Sequence, residues 1–224
     1  MYTMDGVHEQ EVCSLKWNAD GEQLASGGND NNVSVSNIMR LSSRIPNMTS
    51  SGPSPRSSIH RNNTPSLVQR CVGHRAAIRA LAWSPHERDI LCSGGGTLDP
   101  SLCFWTIGQI KTTGSQVCAL AWMRTENKLI SAHGLPKTDL QVWHITNDLG
   151  KPKAFGNAVS DVRHEGTLHG HVSRVLEVAF NAMEDTIISA AGGADETIRF
   201  WKIPHSLRRL DLQKYHRFLQ SITL

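Results

Sequence analysis

Short runs of apolar and polar residues alternate along this chain, separated by turns rich in Gly, Asn, Asp and Ser. Residues 170–201, GHVSRVLEVAFNAMEDTIISAAGGADETIRFW, show the pattern most clearly. A Gly-His pair opens the stretch, and an apolar run at 175–180, a second at 186–190 and a third ending on Trp201 follow, with a polar turn and a Gly-rich turn between them. Runs this short, with a period near two and Gly-containing turns, predict three antiparallel strands.

The same pattern occurs four times. Each first run ends on an aromatic residue, Trp17, Trp83, Trp122 or Phe180. Nine residues before these stand His8, His74, Thr113 and His171, and six before stand Glu11, Ala77, Gln116 and Arg174. Nine or ten residues after them, Ser26, Ser93, Ser131 and Ser189 mark the second run. Ser36, Trp105, Trp143 and Trp201 mark the third, each preceded by six residues by Asp30, Asp99, Lys137 or Asp195. Self-similarity with Gly-His and Trp landmarks is the signature of WD-type repeats. The predicted fold is all-β: a partial WD-repeat β-propeller of about four blades of four-stranded antiparallel sheet, with the fourth blade expected to lack its outer strand. The blades are expected at about 8–72, 73–112, 113–169 and 170–203, forming one unit over 1–203 with a tail at 204–224.

The repeat pitch is uneven. His74 and Thr113 are 39 residues apart, whereas His8 to His74 is 66 and Thr113 to His171 is 58. The first surplus, 41–66, is rich in Ser, Pro, Asn and Arg and reads as a mobile loop insertion, in which Ser54-Pro55 and Thr64-Pro65 read equally well as proline-directed phosphorylation sites or as incidental pairs in a spacer. The second, 146–165, is polar and also reads as a loop. The third repeat lacks both its His and its Asp. A paired loss is coherent if the two serve one hydrogen-bond network, because stranding a single buried partner costs more than losing both.

Composition narrows the function. A net charge of +3 gives no case for nucleic acid, and no apolar run is long enough to span a membrane as a helix. None of the five cysteines forms a Cys-x-x-Cys pair. They read as small hydrophobes in a reducing compartment, without disulfides or metal. His171, Ser189 and Asp195, like His74, Ser93 and Asp99, have the residue types of a hydrolytic triad. A nucleophile is needed once, however, and these sets recur in register with the repeat. The favoured reading is therefore a structural network of His74, Ser93, Asp99 and Trp105 in one blade and His171, Ser189, Asp195 and Trp201 in another. The chain is expected not to be an enzyme and to need no cofactor.

Several strings are more specific than a generic WD repeat. HEQEVCSLKW at 8–17, LASGGNDN at 24–31, SGGGT at 93–97, SQVC at 115–118, His133-Gly134, SRVL at 173–176 and DET at 195–197 resemble the Fizzy and Fizzy-related family. These are WD-repeat activators of the anaphase-promoting complex, a ubiquitin ligase. The resemblance covers about 8–203, omits 41–66, and matches the C-terminal four of the family's seven blades.

The resemblance implies a substrate receptor in cell-cycle or meiotic control, present in nucleus and cytoplasm. Its implied partners are anaphase-promoting-complex subunits, degron-bearing substrates and checkpoint inhibitors. The positions matching the KEN-degron site are Asn29, Thr97, Gln116 and Arg174, and Glu196 matches an acidic residue of the destruction-box site. Read from the residues alone, Asn29 and Thr97 serve equally well to close Gly-rich turns, and Arg174 to be a solvated rim charge. The family's C box and Ile-Arg tail are not matched, which leaves a truncated interaction scaffold as the alternative. Four blades of seven also lead to an expectation of open sheet faces at both ends.

Overall fold

The computed structural model describes residues 4–37, 67–146 and 161–202. The first insertion, its Ser-Pro and Thr-Pro pairs and the tail at 204–224 lie outside the described residues. Fifteen strands form four antiparallel sheets, and no helix occurs among the described residues. The first sheet runs β1 (Val12–Trp17), β2 (Gln23–Gly28), β3 (Asn32–Asn37), β4 (Leu67–Val72). The second runs β5 (Ala80–Trp83), β6 (Leu91–Gly94), β7 (Ser101–Phe104), β8 (Gln109–Thr112). The third holds β9 (Val117–Trp122), β10 (Lys128–His133), β11 (Leu140–Thr146) and β12 (Asp161–Leu168). The fourth has three described strands, β13 (Val175–Phe180), β14 (Thr186–Ala191) and β15 (Ile198–Lys202).

The first strands of successive sheets, β1, β5, β9 and β13, lie side by side, so the sheets radiate as propeller blades. The two faces of the second and third sheets therefore go to different cores, whereas the first and fourth sheets each contribute to one. Val33 and Val35 pack with Ile78, Leu81 and Leu91 between the first two sheets. Leu102 and Phe104 meet Trp122, Leu129 and Trp143 between the second and third. Ile130 and Leu140 meet Val175 and Ile187 between the third and fourth. Burying each such side chain contributes about 1.5–3 kcal/mol, so the blades depend on their neighbours.

Polar ties reinforce the packing. Trp83 Nε1 donates to the Lys16 carbonyl of the preceding blade at 3.0 Å, and Trp122 Nε1 repeats this to the Ala82 carbonyl at 3.2 Å. At the β13–β14 turn the buried Glu184 carboxylate accepts the backbone N–H groups of Arg124 and Thr125 at 2.6 and 2.8 Å, joining the fourth blade to the third. Trp17, at the position of Trp83 and Trp122, is 52% exposed, and its indole meets no acceptor among the described residues. On the fourth sheet, Ile198 and Phe200 stand similarly exposed.

One expectation is corrected. Residues 161–165, read as part of a polar loop, belong to β12, which pairs with β11 from Asp161↔Thr146 to Leu168↔Leu140. An outermost strand needs few buried side chains, here Val162 and Leu168, so its sequence carries little apolar signal.

Candidate functional site

Three of the four inner strands are irregular at the same point. Register shifts fall at Cys13 in β1, Cys118 in β9 and Leu176 in β13, each four residues before the strand-ending aromatic. A bulge gives one strand an extra residue and re-aims the side chains beside it. Two residues further back come Glu11, Gln116 and Arg174. Their carbonyls accept the turn N–H groups of Asn29, Gly134 and Gly192 at 2.9, 2.9 and 3.0 Å. The end of each of these three inner strands is thereby pinned to the turn after the second strand of its own blade.

Three predicted site residues form a continuous arc across three blades. Thr97 Oγ1 donates to Gln116 Oε1 at 3.3 Å. Gln116 is buried, and its carbonyl holds Gly134. The Arg174 side chain lies over Gly134 and Cys118: a Cβ at Gly134 would meet Arg174 Nε at 3.3 Å, Arg174 Cγ at 3.4 Å and Cys118 Sγ at 3.4 Å. Burial pushes the Cys118 thiol up, while the charges of Arg174 and Arg79 oppose it.

Asn29 is engaged elsewhere. Its amide Nδ2 donates to Glu11 Oε2 at 3.0 Å, and Oδ1 accepts from Cys13 Sγ at 3.4 Å. Glu11's own backbone N–H and the Asn29 amide hold the Glu11 carboxyl below its ordinary value. Glu196 stands apart, exposed in the β14–β15 turn with φ at 49°. Glu11 and Arg79 are residues that sequence reasoning did not assign to the site. Glu11 shares the offset of Gln116 and Arg174, and Arg79 shares that of Cys13 and Cys118, so the repeat register held the signal.

Away from the arc, a second constellation repeats in three of the four blades. His74 Nδ1 bonds Asp99 Oδ2 at 2.6 Å and His74 Nε2 bonds Ser93 Oγ at 2.7 Å, while Trp105 Nε1 donates to the same Ser93 Oγ at 2.9 Å. His171, Asp195, Ser189 and Trp201 repeat this at 3.0, 2.7 and 2.7 Å. His8, Asp30 and Ser26 form the same core in the first blade. With Nδ1–H donating to the carboxylate, Nε2 accepts the serine proton, so Ser Oγ has one partner for its hydrogen and the indole for its lone pair. Ser93 and Ser189 are buried, where no substrate reaches them. Burial opposes ionisation of Asp30, but bonds from His8, Glu9 N–H and Asn32 N–H outweigh it and hold the carboxyl at about 2. Burial is likewise outweighed at Asp195, by Thr197, Val172 N–H and His171, and that carboxyl lies far below its ordinary value.

The third blade keeps the serine and the indole, with Trp143 Nε1 donating to Ser131 Oγ at 2.8 Å. Its histidine comes from elsewhere. His133 Nε2, two residues along the same strand, bonds Ser131 Oγ at 2.8 Å. The paired loss of His and Asp is therefore compensated at the histidine by a residue already inside β10. Among the described residues no cluster of three or more His, Cys, Asp or Glu side chains is placed to hold a metal ion.

The family model "WD domain, G-beta repeat" matches residues 2–35, 65–106 and 163–202, just over half of the chain, and passes over most of the third repeat. The B-type cell cycle switch protein ccs52B of Medicago truncatula is 37% identical over 90% of this chain and 34% of its own length. Meiotic fizzy-related protein 1 of Schizosaccharomyces pombe is 34% identical over 88% and 38%. The APC/C activator protein CDH1 of Saccharomyces cerevisiae is 35% identical over 88% and 28%. The chain thus spans about a third of the length of these curated relatives. Among solved structures, a chain in the crystal structure of the Mitotic Checkpoint Complex matches with a TM-score of 0.67 and 29% identity, covering 91% of this chain and 53% of that one.

Proposed function

Because this chain belongs to the WD-repeat family and is similar to activators of the anaphase-promoting complex, we propose that it forms the degron-reading face of such an activator. It acts by binding, not by catalysis. Its ligand is an extended peptide with the Lys-Glu-Asn motif. The Arg174 guanidinium takes the motif's carboxylate in a charge-assisted pair, and Gln116 and Thr97 offer amide and hydroxyl groups to its Asn. Asn29, held by Glu11, meets the peptide further along the inner rim, where the Glu11 carboxylate suits the motif's Lys.

The observation that carries this reading is the Thr97–Gln116–Gly134–Arg174 arc, in which polar groups of three blades form one contiguous surface. Glu196, exposed on the last described turn, takes the arginine of a destruction box. Partners then include ligase subunits, degron-bearing substrates and checkpoint inhibitors, met in nucleus and cytoplasm.

Titration with a Lys-Glu-Asn peptide and its Lys-Ala-Asn control tests the reading. The first should bind more tightly, and Arg174→Ala should remove about 1.5–3 kcal/mol of that affinity, the range for a hydrogen bond to a charged group. Equal affinity for the two peptides overturns it.

A further inference from the structure

In three blades the backbone N–H following the repeat histidine is capped by an aspartate from the turn before the third strand. Glu9 N donates to Asp30 Oδ2 at 3.1 Å, Arg75 N to Asp99 Oδ2 at 3.0 Å and Val172 N to Asp195 Oδ2 at 2.7 Å. The third blade has Gly114 and Lys137 at these two positions. Gly114 is exposed, and its N–H meets no acceptor among the described residues. It has φ at 82°, a conformation that glycine adopts without strain. Lys137 lies across it: the position of a Cβ on Gly114 is 2.8 Å from Lys137 Nζ. The backbone beneath is anchored, because Lys137 N donates to Ser115 Oγ at 2.8 Å and Asp139 N to the Lys137 carbonyl at 2.8 Å. Lys137 Nζ has no carboxylate within 4.0 Å among the described residues.

The blade has not lost its internal support here, since His133 serves Ser131 in place of the missing repeat histidine. The hydroxyl of Thr113 is turned to the carbonyls of Pro100 and Ser115, at 2.8 and 2.7 Å. A cavity of about 620 Å³ opens beside this corner, with Lys111, Thr113, Lys137, His164 and His169 in its wall. The wall's single carboxylate among the described residues, Asp139, is buried, accepts from Gln141 Nε2 at 3.5 Å and lies 4.0 Å from His169 Nδ1. The volume is that of a site for a small ligand or a few peptide residues.

We infer that Gly114 N–H and Lys137 Nζ form a seat for a carboxylate supplied in trans, an Asp or Glu side chain of a peptide partner whose neighbouring residues enter the cavity. Three blades of this same chain show the geometry, with the carboxylate supplied in cis. Where the third blade replaces it with an ammonium group, the charge at the seat is reversed and an outside anion is attracted to the same N–H. Neither residue belongs to the Arg174 arc, so this seat and the degron reading stand or fall separately.

The test follows the Gly114 amide resonance in the ¹⁵N-labelled full chain during titration with N-acetyl-aspartate amide, with sodium chloride at matched ionic strength as control. The resonance should move saturably with the aspartate derivative and not with chloride. Lys137→Met should weaken the effect about tenfold, the scale of a lost charged hydrogen bond. Lys137→Asp restores the carboxylate in cis. It should abolish the titration and shift the free Gly114 resonance toward the saturated position. An unmoved resonance in a folded spectrum, an equal response to chloride, or undiminished binding in Lys137→Met overturns the inference. Tighter binding of inorganic phosphate than of the aspartate derivative overturns the choice of carboxylate as the ligand.

Discussion

Gly134 is the floor on which Arg174 rests, with the position of a Cβ on Gly134 only 3.3 Å from Arg174 Nε and 3.4 Å from its Cγ. The two residues belong to adjacent blades, so a glycine in the third fixes where a charge from the fourth is presented. Gly134→Ala makes this contact tight, and the flexible arginine yields more readily than the backbone. The expected outcome is a several-fold loss of Lys-Glu-Asn peptide affinity in Gly134→Ala and a larger loss in Gly134→Val. The denaturation midpoint of the alanine variant should lie close to that of the parent. Undiminished affinity in both variants would show that the position of Arg174 does not matter for binding.

The histidine–aspartate pairs are structural, and their removal should be read in stability. Asp99→Ala or Asp195→Ala leaves a histidine Nδ1–H and a backbone N–H without their acceptor, and should cost about 1–3 kcal/mol. Lys137→Ala strands no such partner and should be near neutral. Urea denaturation of the three variants checks this, and a cost at Lys137 equal to that at Asp195 contradicts it.

Acid should weaken the third blade first. Burial, with the nearby Lys137 charge adding to it, holds the His133 imidazole down to about 4 from an ordinary 6.5. Its folded pKa lies below its unfolded one, so its contribution is complete above about pH 6.5 and is lost as pH falls toward 4. Two and a half units correspond to about 3 kcal/mol. His171 is shifted in the same direction, chiefly by burial, with Asp195 opposing. The Asp30 carboxyl, at about 2, extends the loss below pH 3.8. Urea midpoints measured from pH 7 to 4.5 should fall steeply in the parent and less steeply in His133→Gln. Parallel slopes would remove His133 from the account.

Glu196 holds a left-handed backbone, with φ at 49°, at the turn position where the first blade has Asn31, with φ at 63°. Asparagine tolerates this conformation better than glutamate. Glu196→Asn should therefore raise stability slightly while weakening binding of a destruction-box peptide through its arginine. Thermal melts and peptide titration measure the two effects independently. A loss of stability would mean that the Glu196 carboxylate supports the turn.

Much of this was legible because a propeller writes its plan repeatedly. Strand period, Gly-His pairs and third-strand tryptophans recur at fixed offsets, and each offset corresponds to one place in a blade. The His74–Ser93–Asp99 and His171–Ser189–Asp195 sets followed from register alone. The strand β12 was missed because an outermost strand can be polar nearly throughout. The role of His133 was also missed, although Ser131 and His133 are two apart in one strand and so share a face.

What the sequence determined by itself is the repeated part of each blade, its strand order and the His–Ser–Asp register. Strand alternation and repeat spacing fix them over short chain distances, where the hydrogen-bond ladder leaves few choices. Only the tertiary structure decided what happens between blades. It seats Arg174 on Gly134 and joins Thr97 to Gln116 across blade boundaries, and within single blades it also draws Asn29 toward Glu11 and leaves Gly114 and Lys137 facing each other beside a cavity. These relations depend on inner-strand bulges and on how neighbouring sheets pack, which sum many weak contacts across the whole fold and leave no short-range periodic mark.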